Sequence, residues 1–373
     1  MTHVVTASRD RDLMTSTGKI YRIVVINPGS TSTKLAVYEN EKPLFDREII
    51  HSVSQLNKYR NIVDQLEFRE ELIIDELARA GLRIEDLDAI IGRGGALEPL
   101  PSGTYLVNER MIEDLKSGKY GLHASNLGAL LARRIAERAG LSAYIIDPIT
   151  VSEMSDVAKV SGIPDIERES IFHALNQKAV ARRAAEDLEL DYNQTRFIVV
   201  HLGGGISVGA HECGRVVDVN NALNGDGPFA PTRSGGIPVW SLIRLACSGK
   251  YAEAELGEMV MKNGGIASYL GTSDMREVCE MIEHGDQKAR LLYEAMAYQV
   301  AKEVGCCAAV LKGNVDAIVL SGGLARDMRF VNLIKERVAF IARILIYPGS
   351  DEMRALALGA LRVLTGEETA KEY

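Results

Sequence analysis

Two stretches of the chain share one hydrophobic pattern. Residues 23–38, IVVINPGSTSTKLAVY, read as a β-branched strand, a polar turn and an outgoing strand, and residues 198–211, IVVHLGGGISVGAH, repeat that plan. A third strand candidate follows each, PLFDREII at 43–50 and GRVVDVN at 214–220. Helical periodicity then predicts helices over 58–80, ended by Gly81, and over 124–139, ended by Gly140; further on it predicts helices over 287–312, 328–341 and 351–364. Short apolar runs predict strands at 87–95, 143–147, 315–323 and 342–349. A three-strand meander followed by alternating helices and strands, occurring twice, predicts two related α/β domains around a cleft. We expect an N-terminal domain over 20–170 and a C-terminal domain over 171–373, with the break falling within 150–195. The closing helix is an element able to pack back on the first domain. Residues 1–19 lack the apolar run of a secretory signal and read as a disordered extension or an upstream start.

At 373 residues, with 46% hydrophobic and 25% charged positions, the chain has the profile of a soluble globular protein with room for two cores. Its net charge of −8 argues against a nucleic-acid partner, so any anionic ligand must be drawn in by local donors. No segment approaches the ~18 apolar residues of a membrane span. The five cysteines show no metal-ligand spacing. Cys306 and Cys307 adjoin within a helical pattern that favours packing, and this usage fits a reducing cytoplasm.

The turns carry the candidate chemistry. Asn27 to Thr33 hold one glycine and four hydroxyls, and Lys34 closes the stretch, whereas Gly203, Gly204 and Gly205 offer backbone alone. Glycine lets N–H groups approach phosphate oxygens, and Ser/Thr hydroxyls add short-armed donors. Two such turns at matching places in two repeats are expected at opposite ends of a polyphosphate. A third Gly-Gly, Gly322–Gly323, strengthens the reading. Neither turn fits G-x-x-x-x-G-K-[ST] or opens directly into a helix, which disfavours a P-loop or a Rossmann site.

From residue 20 to the C-terminus the chain resembles the acetate and butyrate kinase family, whose wider superfamily holds actin, sugar kinases and chaperone ATPases. INPGSTSTK (26–34), GRGG (92–95), IDPITVSEM (146–154), FHALNQK (172–178), HLGGGIS (201–207), DGPFAPTRSGG (226–236), SGGLARD (321–327) and PGSDEMRALALGALR (348–362) carry the likeness. The wording of NPGSTSTK, GRGG and FHALNQK is nearer to butyrate kinases. The resemblance implies duplicated actin-like (ribonuclease H-like) ATPase domains around a nucleotide cleft. It also implies reversible phosphoryl transfer from ATP, with magnesium, to butyrate or a related short-chain or branched fatty acid, by a cytoplasmic homo-oligomer, a dimer or larger.

Residue by residue, the likeness casts Asn27, Ser30, Ser32 and Lys34 at the phosphates, with His201, Gly203, Gly204 and Gly205 opposite and Gly322 and Gly323 beside the adenosine. Asn27, Asp147 and Glu352 are implied at the metal, with Asp351 the alternative to Glu352. An acid with a carboxyl pKa of about 4 is already ionised at neutral pH, so Asp147 reads as an organiser of magnesium and water. Arg93 is implied at the substrate carboxylate and Arg233 at the charge of the transition state, since a guanidinium pairs two-pronged with such groups. His173 is cast at the transferred phosphoryl group, His123 as a further substrate contact, and Phe172 as a pocket wall with Pro228, Phe229 and Pro231. Where acetate kinases carry asparagine in the second turn this chain has Gly204, which leaves backbone donors there.

Two other readings compete. A sugar or polyol kinase of the same superfamily needs a carboxylate base and has no use for Arg93 in a glycine turn. A nucleotide-driven conformational module of the actin or chaperone kind predicts slow hydrolysis without an acceptor, and no peptide-binding domain follows residue 366.

Overall fold

The computed structural model describes residues 19–373. The extension expected over 1–19 therefore lies, Lys19 apart, outside the described residues. Two compact units form, one from residues up to 151 together with 351–373, the other from Ser152–Ser350.

In the first unit, β1 (Arg22–Pro28), β2 (Ser32–Glu39), β3 (Lys42–Ile50), β4 (Ala89–Arg93), β5 (Thr104–Leu106) and β6 (Ala143–Ile146) make one sheet in the order β3-β2-β1-β4-β6-β5. β1 to β3 form the antiparallel meander, and β4 and β6 continue parallel to β1. β1 and β4 are buried on both faces because the helices Asn126–Ala139 and Glu352–Leu364 pack on them, which is why their sequences are unbroken apolar runs. β3 lies at the edge, exposed along most of its length, and carries Pro43, which an edge strand tolerates.

In the second unit, β7 (Arg196–Leu202), β8 (Ile206–Glu212), β9 (Arg215–Val219), β10 (Ala317–Gly322) and β11 (Arg343–Pro348) lie in the order β11-β10-β7-β8-β9. Counted from the outer strand of the meander, the second sheet runs third, second, first, fourth, fifth. The first follows the same plan with β6 in the last place and the short β5 inserted before it in sequence and added antiparallel at the far edge, so the repeat in the sequence is a repeat of topology. The helix Ala174–Asp187 packs on β7 and β10, and the long helix Gln287–Val310 on β7 and β8. Each unit has its own apolar core.

Several elements differ from expectation. The helix expected from 58 starts at Leu66, after a short helix Val53–Leu56 and a 3-10 turn Ile62–Gln65. Asn61 caps that turn, its N–H held at 2.9 Å by the Asp64 carboxylate, and this interrupts the helix. The units part at 151/152, within the interval 150–195 given for the break but ahead of 170/171, because residues 153–168 are tied to β9. Ser155 N–H donates to Val217 O (2.9 Å), Glu153 accepts from Val216 N–H (2.9 Å), and Arg168 pairs with Asp218 (2.9 Å). The closing helix belongs to the first unit, where Thr104 Oγ1 donates to Gly359 O (3.2 Å). Helices also form at Glu109–Ser117, Ala174–Asp187, Val239–Ala246, Glu253–Met261 and Met275–Glu283, beyond those the periodicity predicts. Cys307 is buried and Cys306 exposed, and all five cysteines are free thiols. No helix of the described residues is long and apolar enough to cross a membrane.

Candidate active site: strand ends, two polar turns and their arginines

Open α/β sheets present ligand-binding groups at the carboxyl ends of parallel strands. In the first unit that edge carries Asn27 near the end of β1, Arg93 at the end of β4, and Asp147 directly after β6. Arg93 and Ile146 are register partners, so Arg93 and Asp147 close adjacent strands. In the second unit the same edge carries His201 near the end of β7, Gly203–Gly205 directly after it, and Gly322–Gly323 at the end of β10.

Arg93 sits on a tightly packed floor. A Cβ on Gly92 would lie 2.0 Å from Gly128 O, and one on Gly95 would lie 2.5 Å from Asn126 Oδ1. The glycines of GRGG thus seat β4 against the helix Asn126–Ala139. Arg93 Nη1 donates to Glu352 Oε2 (2.7 Å) and more distantly to Asn27 Oδ1 (3.4 Å), while Asn27 Nδ2 also donates to Glu352 Oε2 (2.9 Å). Asn27, Arg93 and Glu352, separated widely in sequence, therefore form one cluster. Asp351 does not join it. It caps the closing helix, accepting from Arg354 N–H (3.2 Å), which leaves Glu352 as the inward carboxylate.

Asp147 is buried and has φ 41°, a left-handed conformation that costs a non-glycine residue roughly 1–2 kcal/mol. Ser102 Oγ (2.6 Å) and Gly103 N–H (2.9 Å) donate to its Oδ1 and hold it there. Strain of this kind clusters at functional sites. His123 accepts at Nδ1 from Ser125 N–H (3.1 Å), and its pKa is lowered by desolvation and by the Arg93 cation.

The first polar turn is organised by a residue that sequence periodicity does not reveal. Arg69 is fully buried, and its guanidinium donates to Gly29 O (2.9 Å), Ser30 O (3.3 Å), Ser32 O (3.1 Å), Thr33 Oγ1 (3.0 Å) and Gln65 Oε1 (2.8 Å). With these carbonyls gathered inward, the amides of Ser30 and Thr31 have no acceptor among the described residues. Ser30 is exposed at the tip. The Ser32 hydroxyl is engaged with Glu48 (2.7 Å), and Lys34 is exposed on β2 opposite Glu48. His51 shares Thr33 Oγ1 (2.9 Å), and burial together with the Arg69 cation lowers its pKa to about 4.

In the second turn, Thr232 donates through N–H (3.2 Å) and Oγ1 (2.9 Å) to Gly204 O, so again two amides, of Gly204 and Gly205, have no acceptor among the described residues. Arg233 lies flat on this turn, where a Cβ on Gly205 would be 1.9 Å from its Nη1. That nitrogen donates to Ala222 O (2.7 Å). Arg233 Nε is buried without a partner, no carboxylate pairs with the guanidinium among the described residues, and burial lowers its pKa. His173 and His201 stack, with ring centroids 3.9 Å apart. His173 Nδ1 meets Ser207 Oγ (2.9 Å) and His201 Nδ1 meets Asn176 Oδ1 (2.7 Å). Gly322, at φ 91°, approaches Leu202 O so closely that a Cβ would lie 2.2 Å from it, while nothing lies within 4 Å of the Cβ position of Gly323. Phe172, Pro228 and Pro231 are buried, and Phe229 packs on the core of the second unit.

Asn27, Asp147 and Glu352 supply hard oxygen donors of the kind magnesium takes, in the small number it needs when waters and phosphate complete its shell. No group of three or more His, Cys, Asp or Glu residues suited to a metal converges among the described residues, so such an ion would take few protein ligands.

The fold is that of the actin-like kinases of short carboxylic acids. The acetate kinase of Porphyromonas gingivalis superposes with TM-score 0.76 at 21% identity, covering 92% of this chain and all of that one. A propionate kinase from Francisella tularensis gives TM-score 0.74 at 21% identity over 91% of this chain and 98% of its own. The family model for the acetokinase family matches residues 165–342. Butyrate kinase 1 of Clostridium acetobutylicum is 52% identical over 354 residues, 95% of this chain and the whole of that protein. The chain belongs to the acetokinase family.

Proposed function

We propose that the protein is a carboxylate kinase moving the γ-phosphoryl group of ATP to butyrate, or to a related short-chain or branched fatty acid, reversibly. Kinship with a butyrate kinase over 95% of the chain supplies the class. The structural observation that carries the reading is Arg233, a largely buried cation laid on a glycine turn with one carbonyl partner and no carboxylate. Leaving a guanidinium so under-partnered is costly unless an anion completes it.

The carboxylate oxygen attacks the γ-phosphorus and the bond to the ADP oxygen breaks, giving an acyl phosphate and ADP with no proton transferred. Catalysis is then positioning and neutralisation of charge. Arg93 holds the acid carboxylate through Nε and Nη2, which have no partner among the described residues, while Nη1 stays with Glu352. Arg233 neutralises the equatorial oxygens, and His173 donates to them. The free amides of Ser30, Thr31, Gly204 and Gly205, with the Ser30 hydroxyl, Lys34 and His201, take phosphate oxygens, while Gly322 and Gly323 admit the nucleoside. Ser32, whose hydroxyl proton goes to Glu48, serves the turn through its carbonyl on Arg69. Asn27, Asp147 and Glu352 would hold magnesium, which when bound would neutralise phosphate charge. His123 and Phe172 line the acid side, and the enzyme works in the cytoplasm as a homo-oligomer.

Trapping the product with hydroxylamine across acids of two to six carbons tests the proposal. Hydroxamate formation greatest near four carbons supports it. No hydroxamate with any acid, alongside phosphorylation of a sugar, would replace it with the polyol-kinase reading.

A further inference from the structure

We infer that Ser207, Gln177 and His211 form a directed hydrogen-bond relay that fixes His173 as the tautomer protonated at Nε2, making all three positioning residues for phosphoryl transfer. The inference rests on the carboxylate-kinase reading for its purpose, though not for its geometry.

The direction of the relay follows from which atoms can only accept. Gln177 Nε2 lies 3.1 Å from Ser207 O and 2.8 Å from Ser207 Oγ. A backbone carbonyl only accepts, so the amide NH2 of Gln177 faces Ser207 and its Oε1 faces the other way. There it meets His211 Nε2 at 3.0 Å, and since Oε1 accepts, His211 carries its proton on Nε2. The remaining nitrogen, His211 Nδ1, is buried without a partner, which is cheaper for a bare lone pair than for an N–H. Full burial and the neighbouring Lys178 and Arg182 cations push the His211 pKa well below its ordinary value, so the ring is neutral as the relay requires.

Ser207 Oγ, having accepted from Gln177, has one hydroxyl proton to give. Its other partner is His173 Nδ1 at 2.9 Å. Were His173 protonated at Nδ1, two donors would face the hydroxyl and its own proton would have no acceptor at a site where Ser207 is fully buried. The arrangement that satisfies every member runs His211 Nε2–H to Gln177 Oε1, Gln177 Nε2–H to Ser207 Oγ, and Ser207 O–H to His173 Nδ1. His173 is then left with Nε2–H as a donor on its far edge.

The fold is cut to fit the relay. His173 caps the helix Ala174–Asp187 and Gln177 follows one turn later, on the same face. A Cβ on Gly209 would lie 2.6 Å from Gln177 Oε1, so glycine there leaves room for Gln177 in this orientation.

Full-length protein labelled with 15N-histidine tests the inference, with His173 assigned by loss of its signals in His173→Asn. Long-range 1H–15N correlation is expected to show His173 protonated at Nε2 alone. In Ser207→Ala and in Gln177→Met its two nitrogen shifts should move towards the average of mixed tautomers. In both, kcat should fall roughly ten- to a hundredfold, as for other residues that orient a functional imidazole, while KM for ATP and for butyrate stays within about twofold. A wild-type ring protonated at Nδ1, or an unchanged tautomer and kcat in Ser207→Ala, would overturn the relay. A wild-type enzyme that shows the Nε2–H tautomer but makes no acyl phosphate would sink the functional reading and leave the geometry standing.

Discussion

Arg69 offers the sharpest test of how the first turn is built. Its three nitrogens serve five acceptors, four of them on Gly29, Ser30, Ser32 and Thr33. Arg69→Met removes all these donors. Thr33 Oγ1 keeps His51, Ser32 O keeps the Gly29 N–H (2.8 Å), and water can reach the exposed tip at Ser30, which leaves the Gly29 and Gln65 oxygens to bear the loss. At about 1–3 kcal/mol for a group left unsatisfied, partly relieved by water, the variant should lose about 2–4 kcal/mol. That is within the 5–15 kcal/mol typical of a domain, so the unit still folds. Arg69→Lys, with three donors on one nitrogen, should lose about half as much. The change should be local. Amide hydrogen exchange in 27–33 should quicken, and KM for ATP should rise about tenfold or more, one decade for each 1.4 kcal/mol of lost preorganisation. KM for the acid should change little. A folded Arg69→Met protein with wild-type exchange in 27–33 and unchanged KM for ATP would refute the argument.

Arg233→Ala should cut kcat by roughly a thousandfold or more, as expected for a guanidinium acting on the transferred phosphoryl group, with nucleotide affinity by calorimetry little altered. Near-wild-type turnover would remove Arg233 from that role. His51 predicts a pH dependence of stability. Its folded pKa of about 4 lies below the ordinary 6.5, so the unfolded chain takes up the proton first as pH falls. The stabilisation is complete above pH 6.5, declines between pH 6.5 and 4, and is flat below that, for a total on the order of 1–3 kcal/mol. Urea unfolding of wild type and His51→Gln at pH 7 and pH 5 should show the gap narrowing at the lower pH; parallel values would show that His51 does not titrate in this way.

The duplicated topology was legible because central strands such as β1 and β7 are unbroken β-branched runs ending at turns rich in glycine and hydroxyls. The conditions that position the site were harder to read. Arg69 lies in a helix whose charged residues mostly face solvent, and nothing in LEFREELIIDELAR marks one arginine as fully buried. The break at 151/152 depends on hydrogen bonds from 153–168 to β9, which have no periodic signature. FHALNQK did contain a signal, since Asn176 and Gln177 stand three and four residues after His173 and so share its helix face. That face could have been read as one polar network. The choice between Asp351 and Glu352 turned on capping: the first acidic residue of SDEM takes the helix N-terminus, and the second is left to face Asn27 and Arg93.

Each repeat places one arginine against its polar turn, and the two arginines differ in how completely they are satisfied. Arg69 is fully buried and surrounded by acceptors, so its charge is balanced by the dipoles of the loop it holds, and an added anion would have no N–H left to bind. Arg233 reaches its turn by lying over a glycine, gives one proton to Ala222 O, and keeps a buried Nε with no partner. Both pKa values are lowered by burial, that of Arg69 to about 10, yet both stay charged at neutral pH. The difference therefore lies in unused donors and not in charge. A saturated guanidinium preorganises a loop. An unsaturated one stores a desolvation cost that is relieved when charge arrives, and relieved most when that charge is greatest. Transition-state selectivity requires this of a group acting on a transferring phosphoryl. The two repeats hold equivalent turns, and on the proposed reading the bonding of their arginines divides the work into holding shape and meeting charge.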